Sequence, residues 1–498
     1  MNVNPITRLD YPDPDVIRVE DTYYMVSTTM HFMPGCEILQ SFDLVHWEHV
    51  TYVYETLDHT DAQQLKSGQN IYGQGMWAAS LRYHEGRFYI CFVANDTRKT
   101  YLYTSEKIDG PWKKQLIEGF YHDGSLLFDE DGRNYIVYGN DEIWITELNE
   151  DLTAPKKDGL HRLLVSDHKN PKLGYEGSHI QKINGYYYIF LVHSLRDRWM
   201  RTEACFYSDS LEGEFTGGDV LCDDRGYCGQ GVAQGGIVDT PDGKWYAMLF
   251  QDSGAVGRIP ILLPVTWKDH FPFFGQNGHV PEEIEVHSTR PGYIYQPLVG
   301  SDDFCNGLLP RWQFNHDPDP RYYHLDALQG TYTITTREVC TELTQAVNTL
   351  TQRMSYPSCA AEVTVDASAL KEGDVAGLCA LQGCYAAVGI TKHHGKYEVL
   401  MLDKKEDGIL DMTEGTVVES HQMDFRLEAD FCNMKDEARC YYRVNKGDWL
   451  PIGTVHKLYF KLDHFTGCRF GLFCYAAEET GGSACFRDFK YYDVDEIS

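Results

Sequence analysis

Asp13, Asp123 and Glu176 hold matching places in a repeated pattern. Each stands four residues before an aliphatic residue near the end of a short apolar run, namely Ile17, Leu127 and Ile180. Two more runs place Trp77 before Leu81 and Gln234 before Val238 at the same offset. A lone acid at such a place is an ordinary solvated strand start. Three in one register are different, because crowded carboxylates repel and must be desolvated together, a cost that a reaction would justify. Glycoside hydrolysis needs one protonated carboxyl to protonate the leaving oxygen and one ionised carboxylate to activate water or attack the sugar. Carboxyls about 6.5–9.5 Å apart leave room for the water and give inversion. A third carboxylate keeps the acid protonated by like-charge repulsion.

Residues so far apart in the chain need a repeat to bring them together. The copies read DVIRVEDTYYMVST, ASLRYHEGRFYICFV, GSLLFDEDGRNYIVYG, GSHIQKINGYYYIFLV and GGIVDTPDGKWYAMLF, each an aliphatic strand, a polar turn and a strand opening with aromatics. Such turns between alternating apolar runs are hairpin signals. Their turn residues, Asp21, Gly86, Gly132, Gly185 and Gly243, recur 46–65 residues apart. A β-unit at that period is the signature of a propeller. Five copies predict a five-bladed β-propeller over residues 1–297. Asp13, Trp77, Asp123, Glu176 and Gln234 would then ring one end of its axis.

The chain has 498 residues, more than one core usually supports. After RPGYIYQPLVG the repeat stops, and residues 301–498 show many short strands with turn signals, which predicts a β-sandwich. The expected class is therefore all-β, and the 34 Tyr, 23 Phe and 9 Trp suit it. A net charge of −30 argues against nucleic acid and anionic membrane as partners, since both need a basic footprint. No apolar run is long enough to span a bilayer, and no charged n-region followed by an apolar stretch opens the chain. Fifteen Cys without a CxxC pair read as reduced thiols of a cytoplasmic protein. The doublet His393–His394 falls at a predicted turn without zinc spacing and reads as surface.

NPITRLDYPDPDV, MWAASLRYHEGRFY, HDGSLLFDEDGRNY, YEGSHIQKINGYYY and VDTPDGKWY, followed by GRIPILLPVTW, together resemble glycoside hydrolase family 43. The resemblance implies an inverting enzyme of β-xylosidase, α-L-arabinofuranosidase or endo-arabinanase type. By position, Asp13 would be the general base, Glu176 the general acid, and Asp123 the group that tunes and orients the acid. Trp77 and Phe32, from MHFMPG, would shape the pocket around the terminal sugar, and Arg258 would contact substrate and carboxylates. Where many relatives have a GHGG-like segment this chain has AQGG. Gln234 would still face the substrate, and its carbonyl can ligate, but the exchange argues against a tightly bound axial metal.

DDFCNG, LTQRMSY, GDVAGLCAL and the final GLFCYAAEETGGSACFRDFKYYDV resemble the concanavalin A-like domain appended to such enzymes. That implies a sandwich loop walling off the pocket, hence exo action on small oligosaccharides, with xylose or arabinofuranose released from their ends. Asp303 and Asp488 match places where related sandwiches hold a structural calcium. No cofactor is implied for the chemistry, and the oligomeric state is open. A retaining fructan-type enzyme shares this plan, but its NDPNG, RDP and EC segments are absent. A non-catalytic sugar-binding propeller would be favoured by a missing member of the acid/base pair, and both are present.

Overall fold

The computed structural model describes residues 2–493. Its first part contains five sheets of four antiparallel strands, each sheet following chain order from the axis outward. The innermost strands are Asp15–Val19, Met76–His84, Ser125–Phe128, Glu176–Ile183 and Val232–Asp239. The predicted hairpins are present. Gly86, Gly132, Gly185 and Gly243 have φ between 77° and 84°, with open space where a β-carbon would go. Backbone conformation, not crowding, therefore selects glycine at these turns.

The blades are held to one another by apolar clusters, one between each neighbouring pair. Leu81 and Val26 join the first and second blades, Leu126 and Cys91 the second and third, Leu127 and Ile189 the third and fourth. Phe190 and Leu249 join the fourth and fifth, and Met25 and Met248 close the circle. Each fully buried side chain of this size stabilises by about 1.5–3 kcal/mol. Asn2–Val3 pairs with Glu283–Ile284, and the Asn4 amide donates to Leu262 O (2.7 Å) and accepts from Leu262 N (3.0 Å). The chain start is thus latched onto the fifth blade.

The second part is a sandwich of a nine-stranded and a seven-stranded antiparallel sheet. Between them lie Leu378, Val388, Val363, Phe425 and their neighbours. The division near residue 300 is not clean in space. Phe32–Met33, from the first blade's region, pairs with Gln313–Asn315 as an edge of the nine-stranded sheet. The propeller turn Gly254–Val256 puts Ala255 and Val256 into the sandwich core. Buried Arg353 pairs with buried Glu37 across the seam at 2.9 Å. His393 and His394 stand exposed at their hairpin turn, as expected.

Candidate active site

Asp13, Asp123 and Gln234 adopt left-handed backbone, with φ of 52°, 48° and 64°. In the second and fourth blades that conformation falls instead on Ala78 and Gly177, with φ of 29° and 67°. These five residues, one per blade, line a single small cavity on the axis. Trp77 and Glu176 therefore stand one residue earlier, each followed by a register shift in the ladder. This corrects the expected ring, and the cause is local. Arg82 and Gln181 hold the axial place that Ile17, Leu127 and Val238 hold in the other blades, so aligning on apolar residues slips by one. Non-glycine residues with left-handed backbone are costly, and such positions gather at functional sites.

Asp13 is buried. Its Oδ1 accepts from Arg258 Nη1 (3.0 Å) and its Oδ2 from Thr28 Oγ1 (2.6 Å), while Thr28 Oγ1 accepts the Ala78 N–H at 2.8 Å. Asp123 is also buried and accepts the Gly177 N–H at 2.9 Å. Burial pushes the Asp123 carboxyl up to about 6; the charges of Glu176 and Asp13 add to that push, and His122 opposes it. Glu176 accepts from Asn140 Nδ2 at 2.8 Å.

His122 Nε2 lies between two of the carboxylates, 3.5 Å from Asp123 Oδ2 and 3.6 Å from Glu176 Oε2. The Asp123 carboxylate, helped by those of Glu176 and Asp13, raises the imidazole to about 9 in spite of its burial. Among the described residues, His122, Asp123 and Glu176 form the one group of three or more His, Cys, Asp and Glu whose ligand atoms come close enough to share an ion. Gln234 does not belong to it, and its side chain packs on Gly177, where a β-carbon would lie 2.7 Å from Gln234 Cγ.

Arg258 is buried, and its guanidinium lies 4.3 Å from the ring centre of Phe465. Phe465 belongs to a sandwich loop and also stands 5.5 Å from Trp77. Asp10 ties this loop to the fifth blade by accepting both Arg258 N–H (2.7 Å) and Gly467 N–H (2.8 Å). A sandwich loop thus does reach the cavity mouth. Arg201, paired with Asp252, adds a second guanidinium, lowered to about 10 by burial and by the charge of Arg258. Glu203 accepts the Gln234 N–H at 2.7 Å and is pushed well up by complete burial.

One residue expected at the sugar pocket lies elsewhere. Phe32 is buried in the seam between the domains, with the Arg469 guanidinium 3.4 Å from its ring centre. Asp303 and Asp488 are both exposed, and Asp303 Oδ1 accepts the Cys305 N–H at 2.9 Å. Calcium takes about six to eight oxygen ligands, so two exposed carboxylates do not by themselves fit it. The buried acid there is Asp302, which accepts from Phe304 N and Trp312 Nε1 at 2.8 Å each.

Residues 3–272 match the model of glycosyl hydrolases family 43, and residues 301–492 match the β-xylosidase C-terminal concanavalin A-like domain. The chain belongs to glycosyl hydrolase family 43. This family 43 glycoside hydrolase is 27% identical to a β-xylosidase of Formosa agariphila, over 99% of this chain and 89% of that one. It is 26% identical to a non-reducing-end α-L-arabinofuranosidase of Bacteroides ovatus, over 66% of this chain and 63% of the relative. Among solved structures it is similar to a bifunctional GH43-CE protein of Bacteroides eggerthii, with 42% identity and a TM-score of 0.93. That match covers the whole of this chain and 64% of the other, so the chain spans just under two thirds of that relative's length.

Sequence reasoning about the hydrolase missed Thr28, His122, Asn140, Arg201, Glu203 and Phe465. His122 carried a signal, since it directly precedes Asp123 in HDGS. The others reach the site through strand pairing or domain docking and carried none.

Proposed function

We propose that this family 43 hydrolase is an inverting exo-glycosidase that releases terminal β-D-xylose and/or α-L-arabinofuranose from xylo- or arabinoxylo-oligosaccharides. The observation that carries this reading is that Asp13 and Asp123, from two blades, line one axial cavity, and that the charges of Asp13 and of Glu176, from a third blade, both bear on Asp123. Asp13, braced by Arg258 and Thr28, accepts the proton of the attacking water. Glu176 donates a proton to the leaving oxygen. Asp123 and His122 stand beside Glu176 and orient it for that transfer. Phe465 at the mouth supports exo action, because a ring beside Trp77 and Arg258 narrows the room for a continuing chain.

Following the first-formed anomer by NMR on xylo-oligosaccharides and on both p-nitrophenyl pentosides tests this. The inverted anomer is expected; the retained anomer, or binding without turnover, overturns it. Comparing kcat/KM on the two aryl pentosides ranks xylose against arabinofuranose. A cytoplasmic location is part of the proposal, supported by fifteen cysteines that are all unpaired, ten of them buried. Recovery of the activity outside the cytoplasmic fraction would overturn that part.

A further inference from the structure

Two residues along each inner strand from the cavity lining lie Asp15, Ser80, Ser125, His179 and Gly236, again one per blade. Period-two alternation turns these places toward the axis. Here the second blade sends Arg82 across. Its Nη1 donates to Asp15 Oδ2 in the first blade (2.8 Å) and to Leu81 O (2.6 Å). Its Nη2 donates to Ser125 Oγ in the third blade (2.7 Å) and to Ile180 O in the fourth (3.2 Å). Its Nε donates to Leu126 O in the third blade at 2.8 Å. A guanidinium has five N–H groups in a planar fork, and all five are used here, on four blades.

The acceptors are themselves cross-linked. Leu81 N donates to Asp15 Oδ2 (2.7 Å), Ile180 N to Ser125 Oγ (3.0 Å), and His179 Nδ1 lies 3.1 Å from Asp15 Oδ1. The fifth blade makes room with Gly236, where a β-carbon would come within 3.3 Å of His179 Nδ1. Burial pushes the Asp15 carboxyl up, but Arg82 and His179 more than offset it and hold it below the ordinary carboxylate range. Asp15 is two residues from Asp13, Ser125 two from Asp123, and Ile180 four from Glu176.

We propose that Arg82 is a positioning residue for the hydrolysis: its guanidinium is a built-in cation that ties the first, third and fourth blades across the axis, and so sets the spacing of Asp13, Asp123 and Glu176. The proposal rests on the hydrolase reading above. A lysine could supply the charge but only as a point donor, without the fork that spans four blades.

The test uses the full chain with Arg82→Ala and Arg82→Lys, assayed on p-nitrophenyl pentosides well below each variant's Tm. A misplacement of about 1 Å costs about 10²-fold, so Arg82→Ala is expected to lose about that much kcat with KM little changed. Arg82→Lys is expected to fold with an intermediate loss, and it carries the test if Arg82→Ala does not fold. The cavity at the opposite mouth is lined in part by Arg82 and gives a small cation a route in. Millimolar guanidinium is therefore expected to restore kcat and Tm to Arg82→Ala beyond any effect of equal sodium chloride, and to do nothing for the wild type. A folded Arg82→Lys with wild-type kcat, a loss of Tm alone, or no specific guanidinium recovery overturns the positioning role. A wild type inert on every pentoside sinks the hydrolase reading itself, whereas an active wild type beside an unimpaired variant sinks only this inference.

Discussion

At one mouth of the propeller axis Asp13, Asp123 and Gln234 line a small buried cavity; at the other, Ile17, Leu127 and Val238, four residues further along the same strands, line an open one of about 470 Å³. The larger cavity is chemically the quieter. Its charges are paired, Arg18 with Asp239 and Lys182 with buried Asp129 and with Glu130, and apolar side chains line the wall between them. At the small cavity burial pushes Asp123 up to about 6, and beside it the Asp123 carboxylate raises His122 to about 9 against its burial. Same strands, same fold, opposite outcomes: what marks the small cavity is buried charge crowded by like charge, not volume.

The contrast breaks if substitutions at the two mouths cost the same. Asp13→Ala should cost most, lowering kcat/KM on xylo-oligosaccharides by at least about 10²–10⁴-fold, because it removes the base and strands buried Arg258; a thermal melt checks that the variant is folded. Glu176→Ala should lose as much on natural oligosaccharides but far less on p-nitrophenyl substrates, whose leaving group needs little proton donation. The ratio of the two losses is the measurement, and equal losses would remove Glu176 from the acid's role.

His122→Asn sharpens the comparison through pH. The folded imidazole holds its proton up to about 9 against an ordinary value of 6.5. Its contribution to stability is therefore complete below about 6.5 and drains away as pH climbs through about 9. Wild-type Tm should fall across that window, and the variant's should fall less. Phe465→Ala should raise KM for oligosaccharides about three- to tenfold, the equivalent of one aromatic contact, with a smaller change in kcat. At the far mouth, Lys182→Ala should leave kcat/KM unchanged and cost about 1–3 kcal/mol in a denaturant titration, because it strips buried Asp129 of its cation at 2.6 Å.

The five hairpins were legible because each repeats one local code: alternating apolar residues on either side of a turn that takes positive φ, at a glycine in four copies and at Glu20 in the first. Asp13 and Asp123 were legible because that code repeats in register, and Glu176 because it stands one residue from the matching place, Gly177. What blurred was the second and fourth blades, where Arg82 and Gln181 stand in for aliphatics and shift the apolar pattern by one residue. A polar residue that points along a propeller axis looks, in sequence, like a strand's solvent face. His122 was adjacent to Asp123, yet nothing local says which way an imidazole turns. Phe465 and Phe32 depend on contacts with a domain hundreds of residues away in the chain, which no local pattern encodes.

The pairing of Phe32–Met33 with Gln313–Asn315 bears on inheritance and engineering alike. Two units that share a hydrogen-bonded ladder cannot be shuffled as independent cassettes, because cutting the gene near codon 300 leaves an unpaired edge on each fragment. Exchange of one half therefore has to bring a compatible partner strand with it, and drift in the two halves is yoked at that seam.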